Sequence, residues 1–114
     1  MNDCIFCKIA KKEIPSTIVF EDDNMMVFKD LNPVAPVHYL MIPKVHIQSI
    51  DHMDEEHATL IGTMLTKLNS IAGEAGIADD GYRVVTNIGA QGGQTVDHLH
   101  FHIIGGRNMQ WPPG

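Results

Sequence analysis

The chain has 114 residues, of which 44% are hydrophobic, and 8 basic against 14 acidic residues give a formal net charge of −6. That length is read as one domain, 1–114, whose modest core a homodimer would enlarge. The acidic balance argues against a nucleic-acid partner held by phosphate contacts; no apolar run reaches the about 18 residues of a membrane span, and the start, with Asp3, Lys8, Lys11 and Lys12, lacks a leader-like apolar stretch, so the expected setting is cytoplasmic with no membrane partner.

Taken in chain order, Cys4 to Lys12 carries Ile5, Phe6, Ile9 and Ala10 at helical spacing, and Pro15 closes this short helix. Ile18–Phe20 and Met25–Phe28 read as two strands of a hairpin turned at Asp22-Asp-Asn24. Pro33 and Pro36 break the chain before a third strand, His38–Ile42, which Pro43 ends. Asp54 to Ala75 is the long helix, with Asp54 as its cap and Glu55 and Glu56 in its first turn. Leu60, Ile61, Met64, Leu65, Leu68, Ile71, Ala72 and Ala75 form its apolar face, and Gly76 stops it. His52 and His57 flank its start and are expected in solvent. Tyr82–Asn87 and His98–Ile104 complete five strands. The class is α+β, an antiparallel five-stranded sheet with one long and one short helix. The seven methionines are expected as core filling.

The run Asp97-His-Leu-His-Phe-His-Ile-Ile alternates imidazoles with apolar residues. On a strand, successive side chains point to opposite faces, so His98, His100 and His102 share one face, about 6.6 Å apart, while Leu99, Phe101 and Ile103 enter a core. Three imidazoles so placed fit either a shared metal or a metal-free role in which one attacks phosphorus and its neighbours fix tautomer and charge. The preceding Asn87-Ile-Gly-Ala-Gln-Gly-Gly-Gln-Thr95 is glycine-rich, which lets backbone N–H groups converge on an anion.

Gly-Gly-Gln-Thr-Val-Asp-His-Leu-His-Phe-His-Ile-Ile resembles the signature of the histidine triad (HIT) superfamily. Ile5-Phe6, Lys8-Ile9, Glu13-Ile-Pro15, Phe28-Lys-Asp-Leu-Asn-Pro33, Ala35-Pro-Val-His38 and Ile42-Pro-Lys44 match in order. The ending Gly-Gly-Arg107-Asn-Met-Gln-Trp111-Pro-Pro-Gly resembles the tail of the HINT branch, the purine nucleoside phosphoramidase type. The resemblance implies a HIT-like fold whose sheet continues across a homodimer. It implies hydrolysis of nucleoside 5′-phosphoramidates, AMP joined to an amine or a lysine, through a nucleotidyl-histidine. The alternatives are a dinucleoside polyphosphate hydrolase, a nucleotide-binding scaffold with incidental catalysis, or a hydrolase using triad-bound zinc.

On the same resemblance, His100 is the nucleophile, His102 a phosphate contact, and His98 an orienting residue together with His38. Asn87, the Gly93 backbone, Gln94 and Thr95 are phosphate and leaving-group contacts. Asp30 binds the ribose, and Phe6, Ile9, Phe28 and Leu31 line the base pocket. Trp111 crosses the dimer interface toward the partner's leaving-group site. Two positions depart from the pattern: Asp97 stands where an aromatic residue is usual, and Thr95 where Ser is common. Asp97 is able to raise a neighbouring imidazole pKa, a small effect if it faces away.

Cys4-Ile-Phe-Cys7 is a C-x-x-C without the βαβ context of a redox motif, in a chain expected where disulfides are rare. Metal binding and simple burial remain. The resemblance to some bacterial HIT proteins implies structural zinc on Cys4, Cys7, His46 and His98, with no metal needed for the chemistry.

Overall fold

The structure, a computed structural model, describes residues 3–114. Helix α1 spans Ile5–Ala10, and strands β1 Ile18–Glu21, β2 Met25–Lys29 and β3 Val37–Pro43 follow. Two single 3-10 turns, Ile50–His52 and Glu55–His57, lead into α2, Ala58–Ala75, and then β4 Tyr82–Val85 and β5 Phe101–Gly105. All strand pairs are antiparallel, in the order β1-β2-β3-β5-β4. Among the described residues, no helix is long and apolar enough to cross a membrane.

The sheet is covered on both faces, which is why Met25 to Phe28 are all buried despite strict alternation. Met25, Val27, Met41, Phe101 and Ile103 face α2 and meet its Ile61, Met64, Ile71 and Ala72. Met26, Phe28, Leu40 and Ile42 face α1 and meet Phe6 and Ile9. A six-residue helix is far below the roughly 12–15 residues at which isolated helices become even marginal. Packing therefore holds α1, and fully burying a side chain such as Phe6 or Ile9 is worth about 1.5–3 kcal/mol.

Several boundaries differ from the sequence expectation for physical reasons. The helix expected from Asp54 starts at Ala58, because the Asp54–His57 segment closes a capping box of its own. The Asp54 carboxylate accepts the Glu56 N–H at 3.1 Å, and His57 Nδ1 accepts the Asp54 N–H at 3.2 Å. His57 is thus a cap and largely buried, its side chain 20% exposed, whereas His52 is exposed and pairs with the Ser49 hydroxyl. Leu65 lies off the buried face at 41% exposure. Gly76 ends α2 in the left-handed conformation, φ 78°, as expected. Pro43 continues β3 opposite Met25. Strand β4 stops at Val85, and the next residue turns its hydroxyl to the His100 carbonyl at 2.8 Å. The β5 ladder begins at Phe101, with His98 in a bend ahead of it.

Candidate active site and metal cluster

The α1 side of the sheet carries the histidines. His38 on β3 and His102 on β5 flank a buried floor of Leu40 and Phe28. A cleft of about 410 Å³ opens there, within the range of small-ligand sites. Phe6, Ile9, Phe28, Asp30, Leu31, Thr95, His100 and His102 all line it. Phe6 stands edge-on to both Phe28 and His100, at centroid distances of 5.6 and 5.0 Å. Leu31 is 90% exposed and forms rim, not floor.

The three triad histidines keep the expected alternation, since Leu99, Phe101 and Ile103 are buried against α2. Their environments differ. His100 Nδ1–H donates to the His98 carbonyl at 2.7 Å, which leaves the Nε2 lone pair as the ring's nucleophilic atom. His102 Nδ1 faces His38 Nε2 at 2.9 Å. Burial, helped by repulsion from His100 and His38, pushes the His102 pKa down to about 4, so the ring is neutral near pH 7. Burial also lowers His38, with the Asp30 carboxylate opposing it. Asp30 Oδ2 lies 3.3 Å from His38 Nε2, and Oδ1 accepts the Asn32 N–H at 2.8 Å. Each oxygen keeps a second lone pair for a ligand.

His98 does not orient its neighbours through its ring. Its imidazole is fully buried and turned away, with Nε2–H donating to the Pro43 carbonyl at 2.8 Å. Its Nδ1 lone pair therefore points into a group formed with Cys4, Cys7 and His46. Cys4 Sγ lies 3.2 Å from it, Cys7 Sγ 3.5 Å and His46 Nδ1 3.2 Å, with Cys7 Sγ 3.3 Å from His46 Nδ1. A zinc tetrahedron with sulfur and nitrogen ligands has edges of roughly 3.3–3.8 Å. The donor set, spacing and lone-pair direction fit that ion. Burial pushes the Cys4 thiol up, an order that a coordinating cation reverses. Asp30, His38 and His102 also converge, but the Val34 N–H donates to His38 Nδ1 at 3.1 Å. That places the ring proton on Nε2, the atom a metal would need bare.

The glycine-rich loop is organised differently from the expectation. Of the four contacts expected there, Thr95 lines the cleft, whereas Asn87, Gly93 and Gln94 do not. Gln94 Nε2 donates to the Gln48 and Val96 carbonyls, and its Oε1 accepts the Gly89 N–H. Asn87 Nδ2 donates to the Gly92 carbonyl at 2.7 Å, and the Gly93 N–H to that of Ala90. Asp97 is exposed, in the wall of a second cleft with Asp3, Cys4 and His46. Trp111 is 83% exposed on this chain. Sequence reasoning missed Val34, Thr86 and the Pro43 carbonyl, because backbone groups and a lone hydroxyl leave no pattern.

A family profile described as "Scavenger mRNA decapping enzyme C-term binding" matches residues 3–111. The "14 kDa zinc-binding protein" of Brassica juncea is 47% identical over 114 residues, 98% of this chain and 100% of that protein. "Adenylylsulfatase HINT1" of Arabidopsis thaliana is 48% identical over 112 residues, 96% of this chain and 76% of that one. A solved HIT family hydrolase from Legionella pneumophila superposes with a TM-score of 0.96 at 46% identity, covering 98% of this chain and 100% of that one. With the His-x-His-x-His segment on the α1 face of this five-stranded sheet, these likenesses establish that the chain belongs to the histidine triad (HIT) family.

Proposed function

We propose that this protein is a nucleotide hydrolase that cleaves nucleoside 5′-phosphoramidates, with AMP-amine or AMP-lysine conjugates as the substrate type. The observation that carries this reading is the 2.7 Å hydrogen bond from His100 Nδ1–H to the His98 carbonyl, which readies Nε2 for attack. His100 Nε2 forms a bond to the α-phosphorus as the bond to the leaving amine breaks, and the departing amine takes a proton from solvent, which the attacking water of the next step returns. Water then attacks phosphorus, the P–N bond to His100 breaks, and AMP and the free imidazole remain. His102 and Thr95 contact the phosphate, Asp30 takes the ribose hydroxyls, and Phe6, Ile9, Phe28 and Leu31 hold the base. Asn87, the Gly93 backbone and Gln94 serve by holding the loop that carries Thr95.

The relatives support α-phosphorus chemistry on a nucleotide. The Arabidopsis protein's name states action on an adenylyl sulfate, which shares the AMP half and differs in leaving group. Zinc on Cys4, Cys7, His46 and His98 would tie α1 to the end of β3 and to the triad, as the Brassica relative's name supports. The homodimer is proposed on β4, a sheet-edge strand with Val84 exposed, whose open side offers a partner strand.

The test is a rapid-quench reaction with AMP-lysine, an adenylyl sulfate and a dinucleoside polyphosphate in parallel. A covalent nucleotidyl adduct on the native protein, absent from His100→Asn, is expected, with the phosphoramidate turned over fastest. Turnover without any adduct would overturn the mechanism. Preference for the polyphosphate would overturn the substrate class.

A further inference from the structure

The segment after β5 reaches back to the loop between β2 and β3 through Arg107. Gly106 adopts φ 92°, and a Cβ there would lie 2.9 Å from Pro36 Cβ. Only glycine permits so close a crossing with this backbone, and it lays Arg107 over the loop between β2 and β3. Arg107 Nε–H donates to the Val34 carbonyl at 2.9 Å, and Nη1–H to the Asn108 carbonyl at 3.1 Å. Val34, held at its carbonyl, donates its own N–H to His38 Nδ1 at 3.1 Å. A donor at Nδ1 demands a lone pair there, so the His38 ring proton sits on Nε2. From Nε2 it is shared with His102 Nδ1 at 2.9 Å, with Asp30 Oδ2 at 3.3 Å alongside. A neutral His102 accepting at Nδ1 carries its own proton on Nε2, and its ring lines the cleft.

We infer that Arg107 is a positioning residue: by fixing Val34 it fixes the ring proton of His38 and, through His38, the tautomer of His102. This rests on the proposed reading of the cleft, in which His102 donates to the phosphate that His100 attacks. Without Arg107, the Val34 N–H loses its aim, and His38 is free to place its proton on either nitrogen. His102 then loses the donor at its Nδ1, and the N–H offered to phosphate is present only part of the time. The effect belongs to the transition state, where phosphate charge builds, more than to substrate binding.

The experiment compares native protein with Arg107→Ala and Arg107→Lys. Long-range proton–nitrogen spectra of ¹⁵N-histidine-labelled protein near neutral pH report each ring's tautomer without any substrate. The native protein is expected to show single Nε2–H tautomers at His38 and His102, and both variants averaged ring nitrogens. With an AMP phosphoramidate, kcat should fall roughly ten- to a hundredfold in both variants. KM should stay within about twofold. Lysine keeps the charge but lacks a planar fork, so it should not rescue, and it decides the matter if the alanine variant does not fold. Unchanged tautomers in a folded variant would overturn the inference. Failure of the native protein to turn over nucleotides would overturn the proposed function, while the spectra still decide the role of Arg107.

Discussion

His98 and His100 are joined by one hydrogen bond, from the His100 ring to the His98 backbone carbonyl at 2.7 Å, while the His98 ring faces the other way into the cysteine cluster. One residue therefore serves two sites through different atoms. Its carbonyl sets the tautomer of the proposed nucleophile, its Nδ1 completes a Cys/His set able to hold a metal ion, and its Nε2–H is anchored on Pro43. Phe6 reinforces the link, packing on both rings from α1.

His100→Asn is expected to leave the fold nearly intact, since the ring is held by one backbone carbonyl and packing. Loss of a covalent nucleophile commonly costs several orders of magnitude in kcat. Steady-state rates on an adenosine phosphoramidate, with a thermal melt beside them, check this. Near-native kcat in the variant would exclude His100 from the chemistry.

Protein purified without an affinity tag should carry about one zinc per chain if the four-ligand set is right. Cys7→Ser should lower that stoichiometry and the Tm by roughly 4 °C or more for each kcal/mol lost. AMP affinity should fall with it, because α1 bears Phe6 and Ile9 of the cleft wall. Metal analysis, calorimetry and titration with AMP measure the three. A metal-free protein of equal stability and affinity would contradict the assignment.

Stability should fall as the solution is acidified from about pH 6.5 toward 4. The pKa of His102 drops from its ordinary 6.5 to about 4 in the folded chain, so between those values the unfolded state binds the extra proton. Stability therefore rises with pH across that window and levels off above it. His38, also lowered, adds to the slope. Denaturant melts from pH 4 to 8 on native protein and His102→Asn check this, with a shallower slope expected in the variant. Equal slopes would mean that His102 does not carry the dependence.

Sedimentation should give a species of twice the 12.6 kDa chain mass. In that dimer the exposed Trp111 of one chain is proposed to approach the other chain's leaving-group site. Deleting Met109 to Gly114 should change the ratio of kcat/KM for bulky aromatic and small amine leaving groups more than it changes AMP binding. An unaltered ratio would remove the tail from substrate choice.

The sequence alone was enough for the strands, the long helix and the alternation of the triad, because periodicity is a local property that burial preserves. Leu99, Phe101 and Ile103 went into the core as their spacing required. It also grouped the C-x-x-C with two histidines, on resemblance. Only the tertiary structure decided how each ring nitrogen is used. The Val34 N–H meets His38 across a loop, Pro43 meets His98 from 55 residues away, and Gln94 spends its amide on Gln48. Backbone donors and acceptors are alike at every position in a sequence. Which of them meets a side chain is fixed only when the sheet order brings β3, β5 and the loops together.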